Sequence, residues 1–339
     1  MKSVSVRRVV AASLTAFLGL MPAQASWIQF SLPSLSQAFG GTALAHLPDG
    51  RYVFAETGNL YLQDLWNAAA YTPFQNEPVG IDPSFMTVWN SATAAIGHGG
   101  WGSSPVSQFD PSAPADAGFT NIGVTLQNFH GVFRDANGLF VGGADTGSGG
   151  DRHGIRWISL SGGTNRIVID DVSVYSTGFT ADESGNLYVG DNDDGKVYRF
   201  TKAQLDTAIE SSPLSITDGE LIYDFGEGGD IGSLAVDAGG RIWAAGWQHN
   251  GLRVYNPALA EEFMYVPNLD NANYKVAVFG HDGTNYIAYM NQADPFNGGT
   301  AQYYGFAPAG EFAIPEPAPF VLVMLGLSGW WVRRRAMGA

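Results

Sequence analysis

Short apolar runs separated by polar turns dominate the chain, and residues 178–200 show this pattern most clearly. Three runs, at 178–182, 187–190 and 196–200, alternate or mix β-branched and aromatic residues, and turns rich in Asp, Asn and Gly separate them. This spacing predicts a three-stranded antiparallel meander. Because a lone meander cannot bury both faces of its sheet, it needs neighbours of the same kind.

A similar unit recurs along the body of the chain: a turn with Asp, Asn or Gly, then a hydrophobic strand that ends in small residues. The last glycine of the turn falls at residues 50, 138, 185, 240 and 283, and the strands that follow lie at 52–55, 139–142, 187–190, 242–245 and 286–289. Successive glycines are 88, 47, 55 and 43 residues apart. Since the first gap is about twice the others, a sixth unit is predicted at 82–125, with 82–89 as its inner strand.

Six units of about 47 residues have the length of four-stranded propeller blades. We therefore predict an all-β fold in which residues 26–313 form a single β-propeller of six blades. Seven blades would require the stretch 57–130 to hold two. The strand at 27–30 is predicted to complete the last blade beside 302–306, which removes an exposed sheet edge.

Two departures from the repeat are predicted within this body. Residues 201–211 form a short helical excursion on a loop, and Pro111 and Pro114 mark a second excursion. Outer strands follow later in each unit, for example at 220–225 and 262–266.

The composition agrees with such a fold and limits the kinds of molecule that the protein can bind. Charged residues make up 14% of the chain, against roughly 25% in typical soluble proteins, while Gly (44 residues) and aromatics (13%) are abundant. Six of the 17 basic residues and one of the 32 acidic residues lie in the two end segments, which leaves the body near −20. This charge argues against nucleic acid and anionic membrane surfaces as partners. Cysteine is absent, which excludes disulfides and thiolate metal sites.

The first 25 residues have the layout of a secretory signal peptide. Lys2, Arg7 and Arg8 precede an apolar run at 9–20, and the triplet 23–25 has the small residues of a cleavage site. Cleavage after residue 25 and export are therefore predicted, since the apolar run is short for a membrane span.

The last segment, residues 314–339, has three parts in order. Pro315, Glu316 and Pro317 precede a mostly apolar run at 318–332, and the cluster Arg333, Arg334 and Arg335 follows. The apolar run predicts a helix with transient membrane association, and the arginines would hold its end on the cytoplasmic side.

The order of these parts resembles the PEP-CTERM sorting signal of Gram-negative bacteria. The resemblance implies that exosortase, a membrane enzyme, cuts near Pro315-Glu316-Pro317. The protein would be anchored in the inner membrane in transit and then reach the cell surface or the extracellular polysaccharide matrix. An ordinary tail anchor is the alternative.

Two units of the body resemble the NHL repeat and the related gluconolactonase-like blades. The stretch 179–191, Phe-Thr-Ala-Asp-Glu-Ser-Gly-Asn-Leu-Tyr-Val-Gly-Asp, carries the likeness, and 234–243 repeats it. Gluconolactonase-like propellers hold a divalent cation at the channel mouth, with an Asn-Gly or Asp-Gly pair just ahead of an inner strand. The matching positions here are Thr177-Gly178 and Gly232-Ser233, so two expected metal ligands are missing.

In this blade order the turns after each second strand all emerge on one end of the blades, which we call the loop face. Loops from different blades converge around the central channel, so residues far apart in sequence can share one pocket. The candidate ligand-binding residues on the loop face are Glu56, Asp145, Asp151, His153, Asp191, Trp247, His249, Asn291 and Asp294.

Each candidate has a functional and a plain interpretation. Asp191 and Asp193 lie in an oxygen-rich loop that suits Ca²⁺, but the loop lacks the later Glu of an EF-hand, and Asx-rich turns are common. Asp151, His153 and His249 suit a metal site or acid–base chemistry, or are polar surface residues. Trp247 suits stacking on a sugar ring, or fills a gap between blades.

We therefore predict an exported, non-catalytic propeller whose loop face binds glycan, protein or a cation, with exopolysaccharide or surface proteins as partners. The alternative is a divalent-metal-dependent hydrolase or lactonase of the same fold. A third hypothesis is a purely structural surface protein.

Overall fold

The computed structural model describes the chain at two levels of detail. Backbone and side chains are described at residues 105–108, 110, 120–122, 135–143, 153–172, 178–191, 194–226, 231–237, 239–245 and 252–262, and the backbone alone in the remaining strands between residues 27 and 308. The predicted signal peptide, the predicted sorting segment and the excursion at Pro111 and Pro114 lie outside the described residues.

The structure describes twenty-four strands. Those of blades 1, 2 and 3 make up the N-terminal part of the body. Blade 1 holds β2 (Gly41–His46), β3 (Arg51–Glu56), β4 (Asn59–Asp64) and β5 (Pro73–Asn76). Blades 2 and 3 hold β6 (Asp82–Val88), β7 (Ala94–Gly99), β8 (Ser103–Phe109), β9 (Phe119–Arg134), β10 (Gly138–Asp145), β11 (His153–Ser159) and β12 (Asn165–Asp170).

The C-terminal part of the body holds three more blades. Blade 4 consists of β13 (Phe179–Ala181), β14 (Leu187–Gly190), β15 (Lys196–Phe200) and β17 (Glu220–Asp224). Blade 5 consists of β18 (Ser233–Val236), β19 (Ile242–Ala245), β20 (Leu252–Asn256) and β21 (Glu261–Val266). Blade 6 consists of β22 (Asn273–His281), β23 (Thr284–Gln292), β24 (Ala301–Pro308) and β1 (Trp27–Ser31), which lies next to β24.

The first strands of the six blades form a closed cycle. Strand β2 contacts β6, β6 contacts β9, and the series continues through β13, β18 and β22 back to β2. The six-bladed propeller is therefore confirmed. Strand β6 confirms the sixth unit predicted at 82–125, and β1 confirms the strand that completes the last blade.

Strand β9 differs from the prediction of six separate sheets. Its first part pairs with β8, from Phe119 opposite Phe109, and its last part pairs with β10, up to Arg134 opposite Leu139. Blades 2 and 3 thus share one strand in an eight-stranded sheet. No proline interrupts these sixteen residues, so the ladder continues from one blade into the next.

Contacts between Cα atoms divide the chain into two units. Residues 29–306 form the unit that holds the six blades, and residues 1–28 with 307–339 form the other. In the second unit the structure describes only the first two residues of β1 and the last two of β24.

In blade 4, alternating side chains pack against the two neighbouring blades. In β14, Leu187 and Val189 belong to the apolar cluster shared with blade 3, whereas Tyr188 belongs to the cluster shared with blade 5. This two-residue period follows from the pleat of the strand. Each fully buried Leu, Val or Phe contributes about 1.5–3 kcal/mol to folding, so these inter-blade layers form the core.

The excursion predicted at 201–211 is a helix, α1 (Lys202–Glu210), which begins with a capping box between Thr201 and Gln204. Leu205 and Ala208 are buried in the core cluster shared by blades 3 and 4. Strand β16 (Leu214–Ser215) then pairs in parallel with β12 and covers the outer edge of blade 3. Among the residues described, no helix has the length and apolar character needed to cross a membrane.

An aspartate fixes the turn between the first two strands in three successive blades. The carboxylates of Asp135, Asp182 and Asp237 each accept hydrogen bonds from the backbone N–H of the residue two positions later. Each also accepts from an aromatic side chain farther along its own blade. These turns lie at the end of the blades opposite the loop face.

Candidate functional site

Five of the predicted site residues lie at the loop end of a blade. Glu56 and Asp145 are the last residues of β3 and β10, His153 is the first of β11, and Asp191 directly follows β14. Asn291 is the second-last residue of β23. The other four, Asp151, Trp247, His249 and Asp294, lie outside the described residues.

Three of these residues were expected in loops and lie in strands. Asn291 pairs with Gln302 and Tyr274, and Glu56 pairs with Asn59, so both backbones belong to the ladders. Asp145 likewise pairs with Leu126. Neighbouring residues continue the hydrogen-bonded ladder, so these strands extend through Asn, Asp and Glu residues whose type alone suggests a loop.

His153 differs from its predicted position on a polar loop. It pairs with Ala144 at the start of β11, and only 7% of its surface is exposed. The strand continues with five more buried residues, which carry His153 into the blade interior.

The described part of the loop face is best defined in blade 4. Asp191 N–H donates to Lys196 O at 2.7 Å, and Gly195 N–H donates to Asp191 O at 3.0 Å, which closes a tight turn. Gly195 has φ +70°, and a Cβ on it would lie 2.4 Å from Gly226 O. Glycine is therefore required here both for the backbone conformation and for the close approach.

Three carboxylates, those of Asp191, Asp194 and Asp224, lie close enough to Tyr198 at this turn to act on its hydroxyl, and we call them the acidic edge. The ammonium of Lys196 donates to Asp194 Oδ2 at 2.7 Å, and the Lys196 backbone pairs with that of Asp224. The hydrogen bond that Lys196 donates to Asp194 raises the pKa of Lys196. Burial raises the pKa of Tyr198, and the three carboxylates add to this shift.

The acidic edge offers oxygen acceptors to a cation or to hydroxyl groups. Within the described residues, no group of three or more His, Asp or Glu side chains is arranged to hold a metal ion. Asp193, the predicted partner of Asp191 in a calcium site, lies outside those residues. Calcium at this loop therefore stays a prediction.

The positions just ahead of the inner strands of blades 4 and 5 are closed by backbone contacts. Gly178 N–H donates to Ile231 O, and Gly190 N–H donates to Gly178 O, each at 2.8 Å. A Cβ on Gly178 would lie 2.5 Å from Ser233 N. Of the two positions matched to the Asn or Asp of the pair, Gly232 has no side chain to offer, and Thr177 lies outside the described residues.

Sequence reasoning missed a polar and aromatic cluster between blades 4 and 5. Tyr223 donates to Glu262 Oε2 at 2.7 Å, and Arg253 Nε donates to Glu262 Oε1 at 2.5 Å. Arg253 also donates to Phe225 O at 2.8 Å and lies 5.0 Å from the centre of its ring. The ring of Tyr223 stacks on Tyr255 at 3.9 Å.

Burial and the hydrogen bond to Glu262 raise the pKa of Tyr223 to about 12. Tyr223 lies 39 residues before Glu262, so no local sequence pattern joins them. The cluster ties the outer strand of blade 4 to the two outer strands of blade 5, and its polar groups satisfy one another.

Comparison with known proteins identifies the fold. No model of a known protein family matches the sequence, and no curated protein matches it in sequence. Many solved structures match, and three of them share 14–15% sequence identity with this chain. At such identities the likeness shows the fold alone.

The first of these structures is described as a candidate gluconolactonase, with a TM-score of 0.56 and 15% identity over 86% of this chain and 95% of that chain. The second is the calcium-binding protein regucalcin from Agrobacterium tumefaciens, with a TM-score of 0.55 and 15% identity over 80% and 93%. The third is a streptogramin B lyase, with a TM-score of 0.53 and 14% identity over 82% and 96%. The body of this protein therefore shares the β-propeller fold of these structures.

Proposed function

We propose that this protein is an exported, non-catalytic β-propeller that binds glycan, protein or a cation through its loop face. It acts at the cell envelope or in the extracellular polysaccharide matrix. Exosortase directs it there by recognising Pro315-Glu316-Pro317. The propeller fold supports a binding role, because six sets of loops emerge on one face of a rigid scaffold.

The observation that carries the non-catalytic assignment is Gly232, which occupies the position of the Asn or Asp ligand ahead of the inner strand of blade 5. A metal-dependent lactonase of this fold needs side-chain oxygens ahead of its inner strands. Here a Cβ on Gly178 would lie 2.5 Å from Ser233 N and 2.8 Å from Gly232 C, and Gly232 supplies only backbone. Blade 5 therefore has no side-chain oxygen at its matched ligand position, and Gly178, which follows the matched Thr177, is in close contact with the backbone of blade 5.

The acidic edge supports a binding surface for a cation or a hydroxyl-rich ligand. Asp194 is 56% exposed, and its partner Lys196 is 29% exposed. A surface ion pair of this kind contributes about 0–1 kcal/mol, so a ligand can displace Lys196 at little cost.

Binding is tested on protein purified from cells that export it. A glycan array and calorimetry with Ca²⁺ should show saturable binding that weakens when Asp194→Asn and Asp224→Asn are combined. Glu210→Gln is the matched control, because it removes an exposed carboxylate at the opposite end of the blades. Absence of saturable binding to glycans, cations and co-purified surface proteins would favour a purely structural role.

The catalytic alternative is tested on the same protein. Elemental analysis before and after chelation gives the metal content, and aldonolactone hydrolysis is measured in both states. We expect no hydrolysis in either state. Turnover that disappears with chelation and returns with a divalent cation would refute the non-catalytic proposal.

Sorting is tested separately. Replacement of Pro315 and Glu316 by alanine should abolish C-terminal processing and leave the protein in the membrane fraction. Unchanged processing and localisation of this variant would overturn the proposed role of exosortase.

A further inference from the structure

The connection between the third and fourth strands of blade 4 extends beyond its own blade. Residues 201–219 lie between β15 and β17, whereas residues 257–260 make the same connection in blade 5. The longer segment holds helix α1 and strand β16, and β16 pairs with Ile169 and Asp170 of β12 in blade 3. We call residues 201–219 the strap, because they begin and end in blade 4 and pair with blade 3 in between.

Hydrogen bonds join the strap to both blades. On the side of blade 3, Arg166 donates to Ser211 O at 2.7 Å. On the side of blade 4, the backbone N–H of Lys202 donates to Asn186 Oδ1 at 3.1 Å, in the turn between β13 and β14. Neither blade can therefore move away from the strap without losing hydrogen bonds.

The apolar side chains of the strap lie inside the core that blades 3 and 4 share. Leu205 and Ala208 of α1 and Ile216, which follows β16, are buried. They belong to one cluster with apolar residues of both blades, among them Val168 of blade 3 and Phe200 of blade 4. Because both blades contribute to this cluster, their separation would expose apolar surface on the strap as well as on the strands.

The described contacts between the outer strands of blades 4 and 5 are of a different kind. Each of these two blades forms a sheet of its own four strands, and Tyr223 of β17 meets Glu262 of β21 through side chains. By contrast, the sheet that contains blade 3 ends in β16, a strand from the chain segment of blade 4. The outer part of blade 3 is therefore linked to blade 4 by backbone pairing in addition to side-chain packing.

We infer that the strap makes blades 3 and 4 one cooperative unit, in which the outer strands β12 and β17 open together. Proteins open locally in such units, and a segment that pairs with one blade and is continuous with the next joins two of them. This inference concerns the scaffold and is independent of what the loop face binds. It means that the candidate residues His153 and Asp191, on two different blades, are carried by a single support.

The absence of cysteine from the whole sequence allows one disulfide to be placed between the strap and blade 3. Asp170 and Ser215 are partners in adjacent strands, which lie about 4.8 Å apart and so suit a disulfide. The full-length double variant Asp170→Cys/Ser215→Cys is compared in its oxidised and reduced forms, so each preparation is its own control. Amide hydrogen exchange with mass spectrometry measures each strand separately.

Oxidation should slow exchange about tenfold in both β12 and β17, and by less than about twofold in β19 and β20 of blade 5. Slowing that is confined to the strap and β12 would overturn the inference, because blade 4 would then open by itself. Equal slowing in blade 5 would also overturn it, since the whole ring would then open as one unit. If the two introduced thiols do not oxidise, β16 does not lie beside β12, and the strap is refuted.

Asp206→Pro makes the opposite change, because proline breaks α1 at a position whose side chain is exposed and lies outside the buried cluster. Exchange in β12 and β17 should become faster by similar factors, of about tenfold or more. Asp206→Ala is the matched control, since it removes the same carboxylate and keeps the helix. Faster exchange in residues 201–219 alone would show that the strap opens without releasing either blade, which contradicts the inference.

Discussion

The indole Nε1 of Trp243 donates a hydrogen bond of 2.9 Å to Oδ2 of Asp237, with both side chains buried in blade 5. The same carboxylate accepts from the N–H groups of Gly239 and Arg241 and from Arg241 Nε at 2.6 Å. One buried acid therefore holds the turn between β18 and β19 and the aromatic residue at the centre of the blade.

Replacement of this carboxylate should be among the most destabilising single changes in blade 5. Asp237→Ala removes the carboxylate that accepts from Arg241 and Trp243 in the blade interior, so we expect a loss of about 3 kcal/mol in the free energy of unfolding. Asp237→Asn keeps one oxygen and should cost less. Urea unfolding measures both variants.

Glu183→Ala is the control for Asp237→Ala, since Glu183 is an exposed carboxylate in the corresponding turn of blade 4. Its effect should lie within about 0.5 kcal/mol of zero. If Asp237→Ala and Glu183→Ala lower the free energy of unfolding equally, the hydrogen bonds of Asp237 contribute no more stability than an exposed carboxylate does.

Tyr223 should titrate later than an exposed tyrosine, because its pKa is raised to about 12 by burial and by the bond to Glu262. The raised pKa means that the folded protein keeps this proton between pH 10 and 12 while the unfolded chain loses it. The stabilisation is therefore complete below pH 10 and is lost as the pH rises through 12.

Tyr223→Phe should remove this part of the alkaline loss and cost about 1 kcal/mol at neutral pH. Ultraviolet difference titration and urea unfolding at pH 7 and pH 11 measure the two effects. Tyr198→Phe is the comparison, because its hydroxyl makes no bond to Glu262. A Tyr223→Phe variant whose pH 7 to pH 11 loss matches that of the parent protein would contradict the assignment.

The local pattern of apolar residues and turns is sufficient to predict the individual blades. The runs at 187–190 and 196–200 are strands β14 and β15 to the residue, because alternation and turn chemistry are properties of neighbouring residues. The repeat length also predicts β6, although the sequence of β6 is itself a weak match to the repeat. The helix at 202–210 follows from its capping residues in the same way.

Contacts between blades could not be predicted in this way. The cluster of Tyr223, Arg253 and Glu262 depends on the packing of two separate sheets. The strand shared by blades 2 and 3 depends on the strands with which its first and last parts pair. For the candidate site, the turn order placed Asp191 at the loop end of its blade. It did not reveal that His153 is buried, because burial is decided by the neighbouring strands.

The close approach at Gly178 predicts a difference between two glycine substitutions. Gly178→Ala places a methyl group 2.5 Å from Ser233 N, so blade 5 must shift, and we expect a loss of about 1–3 kcal/mol. Gly226→Ala meets no atom within 4 Å but must adopt φ +89°, at a cost of about 1–2 kcal/mol.

Thermal unfolding and tryptophan fluorescence separate these two effects. Gly178→Ala should also perturb the packing around the first strand of blade 5, whereas Gly226→Ala should lower stability without that change. A Gly178→Ala variant as stable as the parent protein would show that the two inner strands have room for a side chain at Gly178, which would contradict the close approach.

Arg166 of β12 clamps helix α1 across the boundary between blades 3 and 4. Its guanidinium donates to Ser211 O at 2.7 Å and to Ile209 O, which are carbonyls at the C-terminal end of the helix. A cation at this end is also favoured by the helix dipole. Arg166→Met keeps the apolar stem and removes these donors, so the last turn of α1 should open more readily.

Amide hydrogen exchange in residues 205–211 should then be about tenfold faster in Arg166→Met, which corresponds to about 1.4 kcal/mol of local stability. Global unfolding should change less, because Leu205 and Ala208 remain buried. Lys202→Met is the matched control, since it removes the exposed pair with Asp206 on the same helix, a contact of about 0.3–0.5 kcal/mol. If exchange in the two variants rises equally, the helix is held by its apolar face alone and Arg166 is not a clamp.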